Sequence, residues 1–220
     1  FTIERLWLIH VLRAFERKNW LPALRRMAFV LDGPLAVYST SSWLTKSISH
    51  ELRRLNSLQK KENKTDMLIL GIEKTGTFVN HFEDIDTNKS GVKGKIDNQS
   101  ALLLSDDYIK KNIIFSQSEK MYGKDTYFGR KFFYKTLTGH RIVASLATFS
   151  DVQQNLKTAN VNQFPRLADA MNLFDQMSSN RYPNSVTPLI TAHTEASIPL
   201  NLGKKLFEEI AREIRKRPTI

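Results

Sequence analysis

Apolar residues recur three apart over the first 26 positions. Leu6, Ile9, Leu12 and Phe15 mark one helical stripe, and Pro22 breaks it before a second short turn. The period then changes. Ala28-Phe29-Val30-Leu31 is a continuous β-prone run that delivers one carboxylate, Asp32, to a Gly33-Pro34 turn, and Leu35-Ala36-Val37-Tyr38 leaves that turn. Asp-Gly between two such runs predicts a tight hairpin. From Ser41 through Leu58 the spacing is helical again, with Trp43, Leu44, Ile48, Leu52 and Leu55 on one face. Gln59 to Lys64 reads as a polar connection.

Asp66 to Lys74 (DMLILGIEK) predicts a buried strand ending in charges. Gly76 marks a turn, and Thr77 to Phe82 reads as a returning strand. Residues 86–100 form a polar, glycine-bearing loop. Leu102 to Ile114 predicts a short helix carrying Asp106 and Asp107. Tyr127 to Leu137 and Arg141 to Phe149 are aromatic and β-branched runs joined by Thr138-Gly139-His140, hence a hairpin. Residues 151–164 are polar and carry no clear period. Pro165 opens a helix with Leu167, Met171 and Phe174 on one side, and Thr187 to Arg217 holds a motif segment and a basic terminal helix. Helices interleaved with strands predict the α/β class with a mixed sheet.

Composition narrows the setting. The 220 residues suit one domain, or one domain with a helical arm over residues 1–26, and 41% hydrophobic content supports a real core. No apolar run is long enough to cross a bilayer, so no membrane partner is expected. Charges among the apolar residues of 1–26 do not resemble a signal peptide, and the start at Phe1 rather than Met leaves open a preceding segment. With no cysteine, disulfides, thiol nucleophiles and Cys-based zinc sites are excluded, and a reducing cytoplasm is the simplest location. A net charge of +11 favours a polyanionic partner, nucleic acid foremost.

Four segments carry candidate chemistry: LDGPL at Asp32, LGIEKTG at Glu73 and Lys74, LLLSDDYI at Asp106 and Asp107, and RYPNSVTPLITAHTEASI with Tyr182, His193 and Glu195. Each has an ordinary reading. Asp32 favours the turn, Glu73 pairs with Lys74 in solvent, and the two aspartates complement a helix N-terminus. His193 and Glu195, two apart, do not share a helical face. Together the acids have a chemical logic. Phosphodiester hydrolysis needs an activated water and stabilised charge on two oxygens, which two divalent ions supply. Carboxylates converging from separate elements, with one imidazole, suit Mn²⁺ or Mg²⁺. In TYFGRKFFYKT, residues 126–136, Arg130 and Lys135 could approach a DNA strand while Tyr127 or Phe133 stacks on bases; the commoner fate of such aromatics is the core.

The ordered set DGPLAVY, LGIEKTG, LLLSDDYI and Tyr-Pro…Pro-Leu…Ala-His…Ala-x-Ile resembles the NurA-type nucleases, from about Ala28 to Leu202. The resemblance implies an RNase H/Argonaute-like mixed sheet flanked by helices, with residues 27–220 as the nuclease domain behind the N-terminal arm. It also implies a homodimer that cleaves DNA with Mn²⁺ (or Mg²⁺), working beside a HerA-like hexameric ATPase in end processing or anti-phage defence.

Carried onto this sequence, the resemblance makes Asp32 the first metal-binding acid, Glu73 the second, and Asp106 the third with Asp107 as the alternative. His193 becomes the C-terminal ligand and Tyr182 the tyrosine of the Tyr-Pro element, although the Tyr182–His193 spacing is longer than the family's compact form. By analogy with other nucleases Lys74 contacts phosphate or developing charge. A competing expectation is a DNA-binding, ATPase-docking subunit with a degenerate site. A PD-(D/E)xK nuclease is rejected, because adjacent Glu73 and Lys74 would point to opposite faces of a strand.

Overall fold

The computed structural model describes residues 2–87 and 94–196, and beyond them 205–206, 208–210 and 212. The elements are α1 (Thr2–Arg17), β1 (Ala28–Asp32), α2 (Leu44–Asn63), β2 (Leu68–Glu73), α3 (Thr77–Asp86), β3 (Ser100–Leu103), α4 (Asp106–Asn112), β4 (Gly129–Lys135), β5 (Arg141–Ala147), α5 (Leu167–Met177), β6 (Ser178–Ser179), β7 (Tyr182–Val186) and α6 (Thr187–Ala196). The expected loop over 86–100 lies partly, and the basic terminal helix largely, outside the described residues.

The α/β class and the mixed sheet are observed. Five strands run in the order β1-β2-β5-β4-β3; β1 and β2 are parallel, and the remaining neighbours are antiparallel. Helices cover both faces. On one face Leu70, Ile72, Phe132, Ala144 and Leu146 pack against Phe164, Phe174, Val186 and Leu189 from the C-terminal third. On the other, Ile69 and Ala147 meet Leu8, Ile9 and Leu12 of α1 and Ile48, Leu52 and Leu55 of α2. Phe133 and Val143 meet Phe78, Phe82 and Ile109 beside them.

Several expectations shift. The buried positions of α1 are Arg5, Leu8, Ile9 and Leu12: of the stripe read from the sequence Ile9 and Leu12 are buried and Phe15 is half-buried, while Leu6 is exposed. The hairpin at Asp32 does not form: β1 pairs in parallel with β2, whose Ile72 carbonyl accepts the Gly33 N–H at 2.7 Å. The run after the turn pairs elsewhere. Val37 N–H donates to Thr126 O at 2.9 Å and Phe128 N–H to Leu35 O at 3.0 Å. Asp-Gly here opens a crossing rather than a reversal, because the buried apolar run finds its partner across the molecule.

The expected strand after Gly76 is helix α3, whose Phe78, Val79 and Phe82 have helical rather than alternating spacing. The helix expected over 102–114 divides into strand β3 and helix α4, with the Ser105 hydroxyl capping the Tyr108 N–H at 3.3 Å. The polar stretch 59–64 extends α2 to Asn63, as its Gln, Lys and Glu residues suit a helix. Around the β4–β5 hairpin the core reading of the aromatics prevails. Phe132, Phe133 and Tyr134 are buried; so are Arg130, which donates to Leu104 O and Thr158 O, and Lys135. Their burial takes all five side chains off the surface that a DNA strand could reach.

Candidate active site

The C-terminal ends of two parallel neighbouring strands bring the first candidates together. Asp32 closes β1 beside Ile72, one residue before Glu73 at the end of β2. Parallel register places Asp32 and Ile72 on one face, and alternation sends Glu73 to the other. The side-chain partners agree. Lys74 Nζ donates to Asp32 Oδ2 at 2.7 Å, and His193 Nδ1 from α6 stands 3.5 Å from the same oxygen. Glu73 is instead bonded by Lys131, from β4 on the opposite face. Adjacent Glu73 and Lys74 thus point apart.

Asp32, Lys74 and His193 form an open cluster: their side chains are 33%, 25% and 64% exposed. A groove of about 550 Å³, floored by β1 and walled by α1 and α6, leads to Asp32 and His193.

The Glu73 side is closed. Lys131 Nζ lies 4.0 Å from the centre of the Phe78 ring and 5.0 Å from that of Tyr127. Burial pushes its ammonium below the ordinary lysine range, against the charge and hydrogen bond of Glu73. Above it the Tyr127 hydroxyl is 2.6 Å from that of Tyr38 and 2.9 Å from that of Tyr122. Burial raises all three phenols, Tyr38 to about 12, so they stay protonated and act as hydrogen-bond donors.

Asp106 stands elsewhere. It follows β3, the far edge strand, and four inter-strand spacings put the two edges roughly 19 Å apart. Its carboxylate pairs with Lys110 at 3.1 Å and accepts the Tyr122 N–H. Asp107, beside it in the first turn of α4, is exposed. The backbone of Tyr182 lies in β7 opposite Ser179, and its side chain falls outside the described residues. The structure therefore joins Asp32, Lys74 and His193, places Glu73 next to them with its carboxylate turned away, and does not bring Asp106 or Asp107 to them.

Residues unremarked in the sequence also build the site. Arg5, fully buried in α1, donates from Nη2 to the carbonyls of Asp32 at 2.9 Å and Pro34 at 2.8 Å. Gly71 lets β2 pass under the turn: a Cβ there would stand 2.5 Å from Gly33 O and 3.0 Å from Leu35 N. Arg5 had a signal, since it occupies the buried stripe with Leu8 and Leu12. Lys131 had a weaker one, a lysine inside an otherwise apolar strand.

The donors suit a divalent ion in type, one carboxylate and one imidazole side by side and a second carboxylate on the next strand. As placed they are incomplete: among the described residues no three His, Cys, Asp or Glu side chains stand close enough to hold a metal ion. Asp32, Glu73 and Asp106 each carry a lysine instead.

The sequence model of the NurA domain family matches residues 2–198 of the chain. The chain belongs to the NurA family. NurA domains form a nuclease family associated with HerA-type ATPases. The NurA match starts at the first residue of α1 and ends just past α6, so it includes the two helices that wall the Asp32 groove. No curated protein and no solved structure matches the chain. No helix among the described residues is long and apolar enough to cross a membrane.

Proposed function

We propose that this NurA chain is a metal-dependent deoxyribonuclease whose reacting centre is the Asp32, Lys74 and His193 cluster, with Glu73 as the adjoining carboxylate. One observation carries the reading: three side chains from distant segments converge at the open end of β1, two of them close on a single carboxylate oxygen. Mn²⁺, or Mg²⁺, would be held by Asp32 and His193, and by Glu73 once released from Lys131. Bound there, the ion supplies Lewis-acid stabilisation of phosphoryl charge.

The chain's own groups do the rest. Lys74 holds the Asp32 carboxylate and carries a cation that can pass to a phosphate oxygen. His193 turns Nδ1 toward Asp32, so that carboxylate and imidazole would share one ion between them. The positive balance of the chain favours its association with DNA. Pairing with a second copy and with a HerA-like hexameric ATPase in the cytoplasm, in end processing or phage defence, completes the proposal.

The decisive experiment is cleavage of linear DNA with Mn²⁺ or EDTA, by the wild type and Asp32→Asn. Cleavage should require the ion and fall by about 10²–10⁴-fold in the variant; undiminished cleavage by Asp32→Asn would sink the assignment. The lysine on each acid favours one alternative, a DNA-binding and ATPase-docking subunit that does not cleave. It predicts salt-sensitive DNA binding with no hydrolysis under any divalent ion.

A further inference from the structure

We propose that Arg5 is a positioning residue for Asp32, so that α1 belongs to the active site rather than merely covering it. The inference rests on the nuclease reading above. Its physical basis is local. One nitrogen, Nη2, donates to the two carbonyls on either side of Gly33, those of Asp32 at 2.9 Å and Pro34 at 2.8 Å. Bridging positions 32 and 34 fixes the span of the turn whose first residue carries the carboxylate. The Asp32 carbonyl needs such a donor. Gly33 N–H engages Ile72 on β2, so by ladder alternation the Asp32 carbonyl faces the sheet edge, where the described residues place no further strand.

Packing alone does not account for the residue. Arg5 shares its buried stripe with Leu8, Ile9 and Leu12, and a leucine would fill that stripe without desolvating a charge. Burial lowers the guanidinium's pKa; the neighbouring charges of Glu4 and Asp32 act against that shift. The arginine is held at a cost that its two hydrogen bonds to the turn help offset. Lysine is no equivalent, because its single ammonium lacks the planar fork that reaches Glu4 and both carbonyls together.

The test compares Arg5→Lys, Arg5→Met and Leu12→Ala, the last removing fully buried packing from the same helix. Two readouts are taken: steady-state cleavage with Mn²⁺, corrected for folded fraction, and amide hydrogen exchange over residues 27–39. Both Arg5 variants should lower kcat by about 10–100-fold with KM within about twofold. Exchange at residues 32–37 should quicken by about tenfold or more. Leu12→Ala should lower the melting temperature yet keep kcat and the exchange of the turn. Wild-type kcat and exchange in Arg5→Lys would overturn the proposal, as would equal losses in Leu12→Ala. If Arg5→Met does not fold, Arg5→Lys carries the test. Exchange needs no catalysis, so a wild type that fails to cleave defeats the nuclease reading while the exchange result still decides the clamp.

Discussion

Asp86 and Asp32 are both aspartates at the ends of regular elements, and both are held by basic side chains. Asp86 is wholly buried at the end of α3, where it accepts Lys135 Nζ at 2.9 Å, Arg141 Nε at 2.8 Å and the Ile96 N–H at 2.9 Å. Burial raises its pKa, but these donors prevail and hold it below the ordinary carboxylate range. Asp32 has one lysine at 2.7 Å and a longer contact to an exposed histidine, and a third of its side chain meets solvent. An acid–cation pair is therefore no mark of a site by itself. What separates the two is spare coordination: both oxygens of Asp86 accept donors of the fold and are shut from solvent, while Asp32 keeps capacity for a ligand that arrives later.

The largest break between them should appear on truncation. Asp86→Ala strands Lys135, only 5% exposed, without a counter-charge. The loss should be about 3–5 kcal/mol of stability, read from urea midpoints, while the fraction still folded cleaves DNA at the wild-type rate. Asp32→Asn should behave in reverse, with a stability change within about 1 kcal/mol because its pair is partly exposed. Stability losses of equal size in the two variants would erase the distinction.

The same contrast explains what could be read in the sequence. Asp32 was legible because an acid at the end of an apolar run beside Gly-Pro is a local pattern, and its family resemblance is local too. Asp86 was not, since its partners lie 49 and 55 residues away in a hairpin whose register no short window encodes. The strands β2, β4 and β5 and the helices α2 and α5 followed from periodicity. The turn at Asp32 failed as a hairpin because Leu35 to Val37 is committed to the segment before β4, a tertiary choice that overrides turn chemistry. Helix α3 failed because six residues, Thr77 to Phe82, fit either period until Val79 is seen on the buried face with Phe78 and Phe82. Of the site, the acids, Lys74 and His193 were visible by type; the pairing of each acid with its lysine and the Arg5 bridge were not, because a cation's partner is set by packing.

A middle-sized effect tests how tightly the open site is nevertheless held. Gly71 passes beneath the Asp32 turn so closely that Gly71→Ala must push Gly33 or Leu35 aside. Overpacking of this kind costs about 1–3 kcal/mol, and the displaced turn should carry Asp32 with it and depress cleavage beyond the loss of folded protein. If activity per folded molecule is unchanged, the turn is not rigidly coupled to β2, and the open aspartate owes its position to Arg5 and Lys74 instead.

Glu51 on α2 lies between the two extremes, a mostly buried acid whose cations are exposed. Arg54 donates to it at 2.9 Å and Arg13 at 2.7 Å, and these side chains are 40% and 55% exposed. The Arg54 hydrogen bond, then that of Arg13, brings its pKa from 4.5 to about 2, overcoming burial. A depressed pKa stabilises the fold above the unfolded value, and that contribution fades as the pH falls through the folded one. Glu51→Gln should therefore cost about 1 kcal/mol at pH 7, since solvent screens both arginines. The difference from wild type should shrink as the pH falls below about 4.5 and vanish near 2. Denaturant midpoints at pH 7, 4 and 2.5 measure it. A gap that persists undiminished at pH 2.5 would mean that Glu51 acts through packing between α1 and α2, leaving sealed Asp86 as the better model for how acids stabilise this fold.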